Sequence, residues 1–513
     1  MSTENDTTAR SLRAHELREL RELRELRELR ERAIEALTTP ELATIVDLVT
    51  WVETVDGEAV AHAANHHGRV RLRPGGHHEL VSGIDPIASE DPMAFLPYAV
   101  EVANASPRDS RENAYPYAAE RILSLFADPD RSPDLAIVHT PRHYFPDEGG
   151  HRGEHGSLDV IQSRAPLIMG GAGVVRRGFV DDHARLVDVG PTLATLAGAR
   201  PEALVDALGE PLDGRALTAY LTGELPRAVV GILWDGGHCG DLLHLAETGA
   251  LPNVARLIDR GVALRGGAVA QFPSITLTNH TSILTGVGPG RHGVLGNVYY
   301  DRAAGLQVVP NDETTWHRSA EWLRPGVRTI FEMVDGMTAS VDEAIDRGAT
   351  YSTMGLIRAS AGESGAGALG DQLPPADASP FLGDARWLED AYFRWGVSVD
   401  DLGLQQMRQL YAGGLESAPR LAWWANVVTD AGHHGGGPRS EIARESLRQS
   451  DARLGVFLGE LERLGVLDQV AFVLTADHGF EGADESVTGS WRGALDSLGV
   501  PYRDEGPGFV YFL

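Results

Sequence analysis

Cysteine is almost absent from this chain: among 513 residues there is only Cys239. One thiol rules out an internal disulfide framework and fits a reducing compartment. Positive charge is scarce as well. Forty-five basic residues face 73 acidic ones, leaving a formal charge of −28. A surface this acidic repels phosphate backbones, so polymeric DNA or RNA is not expected as a partner unless bound cations mediate. No apolar run reaches the roughly 20 residues of a membrane span. The amino-terminal MSTENDTTAR lacks the apolar core of a secretory leader. The expectation is a cytoplasmic protein without a membrane partner; its oligomeric state is left open. One further absence bears on chemistry. The stretch LTADHGFEG, residues 474–482, sets Asp477 beside His478 at the end of an apolar run, yet no histidine follows His478. That pair reads as half of a metal site, and a divalent metal takes about three or four protein ligands. The remainder must come from earlier in the chain.

What the sequence does contain is ample material for a core, with 42% hydrophobic residues, and punctuation for many turns, with 59 glycines and 28 prolines. Residues 1–11 are polar and expected to be unstructured. From 16 to 32 the chain repeats Glu-Leu-Arg, which favours helix. A period of three drifts about 60° per repeat against a helix, so the leucine stripe cannot hold one seam. A solvated helix leading into AIEAL is the expectation, rather than a partner-binding coil.

Beyond residue 40, short apolar runs alternate with longer amphipathic stretches, the pattern of an α/β protein with a mainly parallel sheet. Strands are predicted at 135–139, 165–169, 229–234, 424–428 and 470–475. Asp235, Asp430 and Asp477 each lie just past such a run, where ligands of open α/β sheets collect. Singly, each reads more simply as a helix cap or turn residue; three strand ends that each supply or approach a histidine weaken that reading. Residues 212–228 read as a closing helix followed by a linker with Pro226. Residues 315–420, containing the Gly/Ala/Ser/Pro-rich stretch 359–380, read as a cap with mobile loops.

In the segment 271–301, TLTNHTSILTG reads as a helix closing at Gly286. Thr276 falls at or beside its amino terminus, where free N–H groups and the dipole favour an anion. A hydroxyl there becomes a nucleophile if a metal binds its alkoxide; from this segment alone a simple cap is the better reading.

Five motifs in order then carry a resemblance: DGGHCGDLLHLAETGALPNVARLIDRG from Asp235, FPSITLTNHTSILTG, HGVLGNVYYD, TDAGHHGGGP from Thr429, and TADHG from Thr475. Together they resemble the type I phosphodiesterase and nucleotide pyrophosphatase branch of the alkaline phosphatase superfamily. The resemblance implies an alkaline-phosphatase-like three-layer α/β sandwich with a largely parallel central sheet, and two divalent metal ions, usually zinc. It places one metal on Asp235, Thr276, Asp477 and His478, and the other on Asp430, His434 and one more histidine, with His433 as the competing choice for His434. It makes Thr276 the nucleophile of a phosphothreonine mechanism, and assigns Asn297, with the Leu277 N–H, to the phosphoryl oxygens. In the family the last histidine follows the DHG motif. Here the matching segment begins upstream at His151, and His155 within Gly153-Glu154-His155-Gly156 is the residue it selects. The chain therefore resembles a circularly permuted member. Residues 1–36 form a charged helix or tail, 37–225 correspond to the family's carboxyl-terminal part, and 226–513 to its catalytic amino-terminal part, the last two forming one catalytic domain. LTGELPRA is the implied join, with GFVYFL pairing beside the strands that follow residue 45.

A small phosphorylated substrate is the implied partner. Within the same superfamily, phosphonoacetate hydrolase and phosphomonoesterase are rival activities. A non-catalytic scaffold is the alternative of another class, and the intact ligand set argues against it. His238, Cys239, Trp423 and Trp424 are expected to be structural, and His292 to fix its loop.

Overall fold

A continuous apolar run without polar alternation belongs in a strand covered on both faces, and AVVGILW is one. In the computed structural model, which describes residues 24–103, 113–312, 314–361, 373–506 and 508–513, Ala228–Trp234 is a strand buried at every position. It lies within a nine-stranded sheet, pairing in parallel with Leu421–Asn426 on one side and Val470–Thr475 on the other. Thr338–Val341 and Tyr351–Ser352 continue the first side in parallel. On the second side Arg164–Gly171 runs antiparallel to Val470–Thr475, and Gly261–Val269 antiparallel to it in turn. Gly178–Val180 and Ala184–Arg185 close that edge. One strand of the nine therefore opposes all the others.

Helices cover both faces, giving a three-layer α/β sandwich. Leu193, Ile283 and Leu284, from the helices Val189–Leu196 and Thr276–Thr285, pack on Val229, Leu233 and Trp423. On the opposite face Leu242, Val254, Met407 and Phe457 pack on Val230, Ile232 and Trp424. Trp423 and Trp424 thus fill opposite layers, as alternation along a strand requires, and both are core residues. Gly231 is needed beside Trp423: a Cβ there would lie 2.4 Å from the indole.

A second sheet of seven strands is antiparallel throughout. Its order is Tyr502–Glu505, Phe509–Phe512, Leu135–His139, Val46–Val55, Glu58–Asn65, Gly68–Arg73 and His77–Gly83. The carboxyl-terminal strand therefore sits one strand away from the one that begins after residue 45. Residues 24–37 are helical and dock Ala33, Ile34 and Leu37 against Val49, Trp51 and Trp491. Residues 1–11 and the first leucines of the Glu-Leu-Arg repeat lie outside the described residues. No helix among the described residues is long and apolar enough to cross a membrane.

Three local expectations change. The strand expected at 424–428 is Leu421–Asn426, because the Val427 N–H turns to Asp400 Oδ1 (2.8 Å) and Val428 opens a helix. Residues 212–228 form no α-helix, only the single 3-10 turn Thr218–Tyr220. Their backbone bonds outward instead: the Leu217 N–H to Thr192 Oγ1, and Tyr220 O from the Val175 N–H. The 315–420 segment is woven into the core through Thr338–Val341 and Tyr351–Ser352. Its helix Ala391–Tyr411, capped by Asp390, then spans a cavity at the strand ends.

Candidate active site

Three parallel strands deliver their following residues to one edge of the sheet. Asp235 follows Ala228–Trp234, and Asp477 and His478 follow Val470–Thr475. Leu421–Asn426 leads directly into the helix Val428–Gly436, on which Asp430 and His434 are one turn apart and share a face. His155 arrives by another route. The short strand Gly153–Glu154 pairs with Glu481–Gly482, just beyond His478, and this pairing brings the loop from the first third of the chain to the site. A Cβ at Gly153 would lie 2.4 Å from His433 O, so only glycine fits there.

The imidazoles are oriented in one sense. Nδ1 of His155 meets Ser274 O (3.0 Å), Nδ1 of His434 meets Gly153 O (2.9 Å), and Nδ1 of His478 meets Gly479 O (3.0 Å). A carbonyl only accepts, so each Nδ1 carries the hydrogen, and the neutral rings of His155 and His434 each offer a bare Nε2 lone pair. Yet His155 Nε2 and His434 Nε2 lie 3.2 Å apart, two lone pairs facing each other. The ligand atoms of His155, Asp430 and His434 all lie within 4.8 Å of one another, and so do those of Asp235, Asp430 and His478. Asp235 Oδ1 and Asp430 Oδ1 are buried without hydrogen-bond partners. Buried unpaired acceptors of this kind are costly, and cations between them would satisfy both. The residues present therefore fit a two-metal centre.

The charges tell the same story. Burial, then Asp477 and Asp430, push the Asp235 acid well above the ordinary range. Burial, then His478 and His434, push His155 well below it, and burial and the neighbouring imidazoles do the same to His434. His478 escapes: against burial, the Asp477 carboxylate at 3.1 Å carries it up to about 9. Carboxylates repel carboxylates and imidazoles repel imidazoles, a conflict that divalent cations remove.

Thr276 is the first residue of its helix, and Ile275 before it supplies no side-chain cap. The other nine residues of that helix are buried; Thr276 is half-buried. It faces a cavity of about 310 Å³ that is also lined by His155, Asp235, Asp430, His434 and Asn297. Asn297 Oδ1 accepts the Leu277 N–H (3.2 Å). That bond differs from the expectation that this N–H is free for a phosphoryl oxygen; it orients the Asn297 amide instead.

The predicted residues Asp235, Thr276, Asn297, Asp430, His434 and His155 all line the cavity, and Asp477 and His478 each cluster with Asp235. His433 turns away, its Nδ1 on Thr429 O and its ring stacked on Phe480. His238 caps its helix by accepting the Asp241 N–H, and with Cys239 it lines a separate crevice. His292 accepts the Val294 N–H and meets Ser282 Oγ, fixing its turn. Sequence reasoning missed His280, whose Nε2 lies 3.6 Å from both Asp235 and Asp477 while Glu343 holds its Nδ1 at 2.9 Å. Its position four residues after Thr276 was the available signal. Tyr392, which donates to Asp430 Oδ2 (2.7 Å), was missed too; the cap carries no motif to flag it.

The family model for type I phosphodiesterase / nucleotide pyrophosphatase matches residues 229–497. An uncharacterized pyrophosphatase/phosphodiesterase of Schizosaccharomyces pombe is 35% identical over 125 residues, 22% of this chain and 25% of that protein. Alkaline phosphatase PafA of Elizabethkingia meningoseptica is 32% identical over 110 residues, 21% of this chain and 20% of that protein. Among solved structures, murine ectonucleotide pyrophosphatase / phosphodiesterase 5 aligns with a TM-score of 0.36 at 16% identity, covering 50% of this chain and 59% of that one. Phosphonoacetate hydrolase from Sinorhizobium meliloti aligns with a TM-score of 0.31 at 23% identity, covering 50% and 57%. The chain thus spans a quarter or less of the curated relatives it matches.

Proposed function

The chain belongs to the type I phosphodiesterase / nucleotide pyrophosphatase family, and we propose that it hydrolyses phosphate esters with Thr276 as the nucleophile. Asp235, Thr276, Asp477 and His478 would hold one divalent cation, and Asp430, His434 and His155 the other. A mixed imidazole and carboxylate set suits zinc. Such ions lower the pKa of a hydroxyl and offset the charge of a phosphoryl group.

The chain's own residues supply the rest. The helix Thr276–Thr285 presents Thr276 Oγ1 to the cavity, with the positive end of its dipole toward an incoming anion. Attack in line forms the Oγ1–P bond as the bond to the leaving alcohol breaks. Water then cleaves the phosphothreonine and restores the hydroxyl. Asn297, oriented by the Leu277 N–H, turns its amide nitrogen to a non-bridging oxygen.

The observation that carries this reading is the pair of facing Nε2 lone pairs on His155 and His434 beside Asp430, in a cavity that also exposes Thr276. The test is hydrolysis of bis-p-nitrophenyl phosphate. Turnover is expected with zinc, should vanish on chelation and should return on readdition. A properly folded, zinc-loaded protein that turns over neither this diester nor p-nitrophenyl phosphate would contradict it.

We infer also that the chain order is permuted. The family match begins at residue 229, whereas His155 reaches the site from before it. The two ends of the chain share the seven-stranded sheet. Moving residues 37–225 behind residue 513 should then leave metal content and melting temperature close to those of the parent; an unfolded product would count against permutation.

A further inference from the structure

The proposed chemistry gives no task to His280, although its ring lines the same cavity as Thr276. It lies four residues along the helix Thr276–Thr285, on the same face as Thr276, and is buried. Glu343 Oε2 holds its Nδ1 at 2.9 Å. That carboxylate is itself immobilised. It is fully buried just past the strand Thr338–Val341. The Trp423 Nε1–H donates to Oε2 (2.9 Å) and the Ile345 N–H to Oε1 (2.9 Å). The far nitrogen of the ring, Nε2, therefore has a fixed direction. It stands 3.6 Å from Asp235 Oδ2 and 3.6 Å from Asp477 Oδ2, too far for a good hydrogen bond to either. The ligand atoms of Asp235, His280 and Asp477 all lie within 4.8 Å of one another. Atoms bound to one zinc at about 2.0–2.2 Å are themselves roughly 3.3–3.7 Å apart. The spacing around Nε2 is thus that of ligands about an ion. An imidazole whose other nitrogen is anchored on a carboxylate is also the usual form of a metal-binding histidine.

We propose that His280 is a further ligand of the cation assigned to Asp235, Thr276, Asp477 and His478, with Glu343 anchoring the ring from behind. The proposal deepens the two-metal reading of the site and rests on it. Against burial, Glu343, Asp235 and Asp477 hold the ring well above its ordinary range. The same carboxylates attract a divalent ion, whose binding releases the proton. Catalytic zinc accepts a fifth ligand, so Thr276 keeps its place. The ion beside Thr276 then has two imidazoles and two carboxylates. Its neighbour has the imidazoles of His155 and His434 and the single carboxylate of Asp430. The ion beside Thr276 is therefore the more tightly held of the two.

The test isolates this ion in the His155→Ala protein, whose second site is disabled. X-ray absorption of the zinc-loaded protein counts the imidazoles on the metal: two are expected, and one overturns the proposal. Adding His280→Gln should lower the count to one. It should also weaken zinc by about 100-fold or more in competition with a chelating dye, beyond the roughly 10–100-fold usual for a partner outside the ligand shell. Adding Glu343→Gln instead should keep both imidazoles and cost about 10–100-fold. Melting temperatures confirm that the variants are folded; should His280→Gln not fold, the count in the His155→Ala protein decides alone. An affinity that His280→Gln leaves unmoved overturns the proposal, as does an imidazole count that it leaves unchanged. None of these readouts needs a substrate. Zinc bound here with one imidazole removes His280 from the site and leaves the two-metal reading standing, whereas a folded wild-type protein that binds no zinc overturns both.

Discussion

Three adjacent strands of the nine-stranded sheet, Ala228–Trp234, Leu421–Asn426 and Val470–Thr475, each lead into a carboxylate of the candidate centre. The seven strands of the other sheet contribute no residue to the cavity. Direction explains the contrast. Parallel strands place all their carboxyl ends on one edge, so residues hundreds of positions apart meet there, while antiparallel neighbours alternate and scatter theirs. What the outer sheet contributes is a loop: the chain leaving Leu135–His139 runs to Gly153–Glu154 and delivers His155. Chemistry and scaffolding should therefore be separable by mutation.

The largest expected effect is on the chemical side. Thr276→Ala should lower turnover by about 10³-fold or more while metal content, read by mass spectrometry, stays intact. Surviving activity would move the nucleophile elsewhere. On the scaffold side, Trp51 is fully buried beneath the Arg69 guanidinium, which sits 4.5 Å from the ring centroid. Trp51→Ala should cost about 3–5 kcal/mol of stability in a denaturant titration and leave metal affinity unaltered. A variant that folds but loses metal would break the division between the sheets.

A smaller effect is expected where the cap meets the centre. Tyr392→Phe deletes the hydrogen bond to Asp430 Oδ2 and should weaken the more loosely held ion by about 10–100-fold, measured by competition with a chelating dye. No change would mean that Tyr392 serves the substrate alone. The smallest is a pH effect on stability. Burial holds His292 down to about 3, and its Nδ1 must stay bare to accept the Val294 N–H. The unfolded chain takes up that proton below its ordinary 6.5, the folded chain does not. Stability is therefore complete above pH 6.5 and declines as pH falls toward 3, by at most about 1.4 kcal/mol per unit from this group. Melting curves between pH 7.5 and 5 should show the decline, and His292→Asn should flatten part of it.

Much of the candidate site was legible in the sequence because its residues sit at strand ends and helix starts, where local pattern is strongest. The runs 135–139 and 470–475 are strands at those bounds; His155, Asp235, Asp430, His434, Asp477 and His478 fall in overlapping clusters, and Thr276 lines the same cavity. The run WANVV misled because an apolar stretch does not reveal where a strand yields to a helix, and here a tertiary bond from Val427 to Asp400 decides it. The aromatic side of the cavity, lined by Trp316, Tyr392 and Trp395, was not legible at all. Trp316 and Trp395 are 79 positions apart, far from any motif, and meet only through the packing of Ala391–Tyr411 over the cavity. His280 was within reach, since a helix brings positions i and i+4 to one face.

The central claim is that His155, from the first third of the chain, completes a second metal site with Asp430 and His434. Metal stoichiometry of the wild-type protein and His155→Ala tests it most directly, by inductively coupled plasma mass spectrometry after dialysis against limiting zinc. Two ions per chain in the wild type and one in the variant are predicted. Two ions in both proteins would contradict the account.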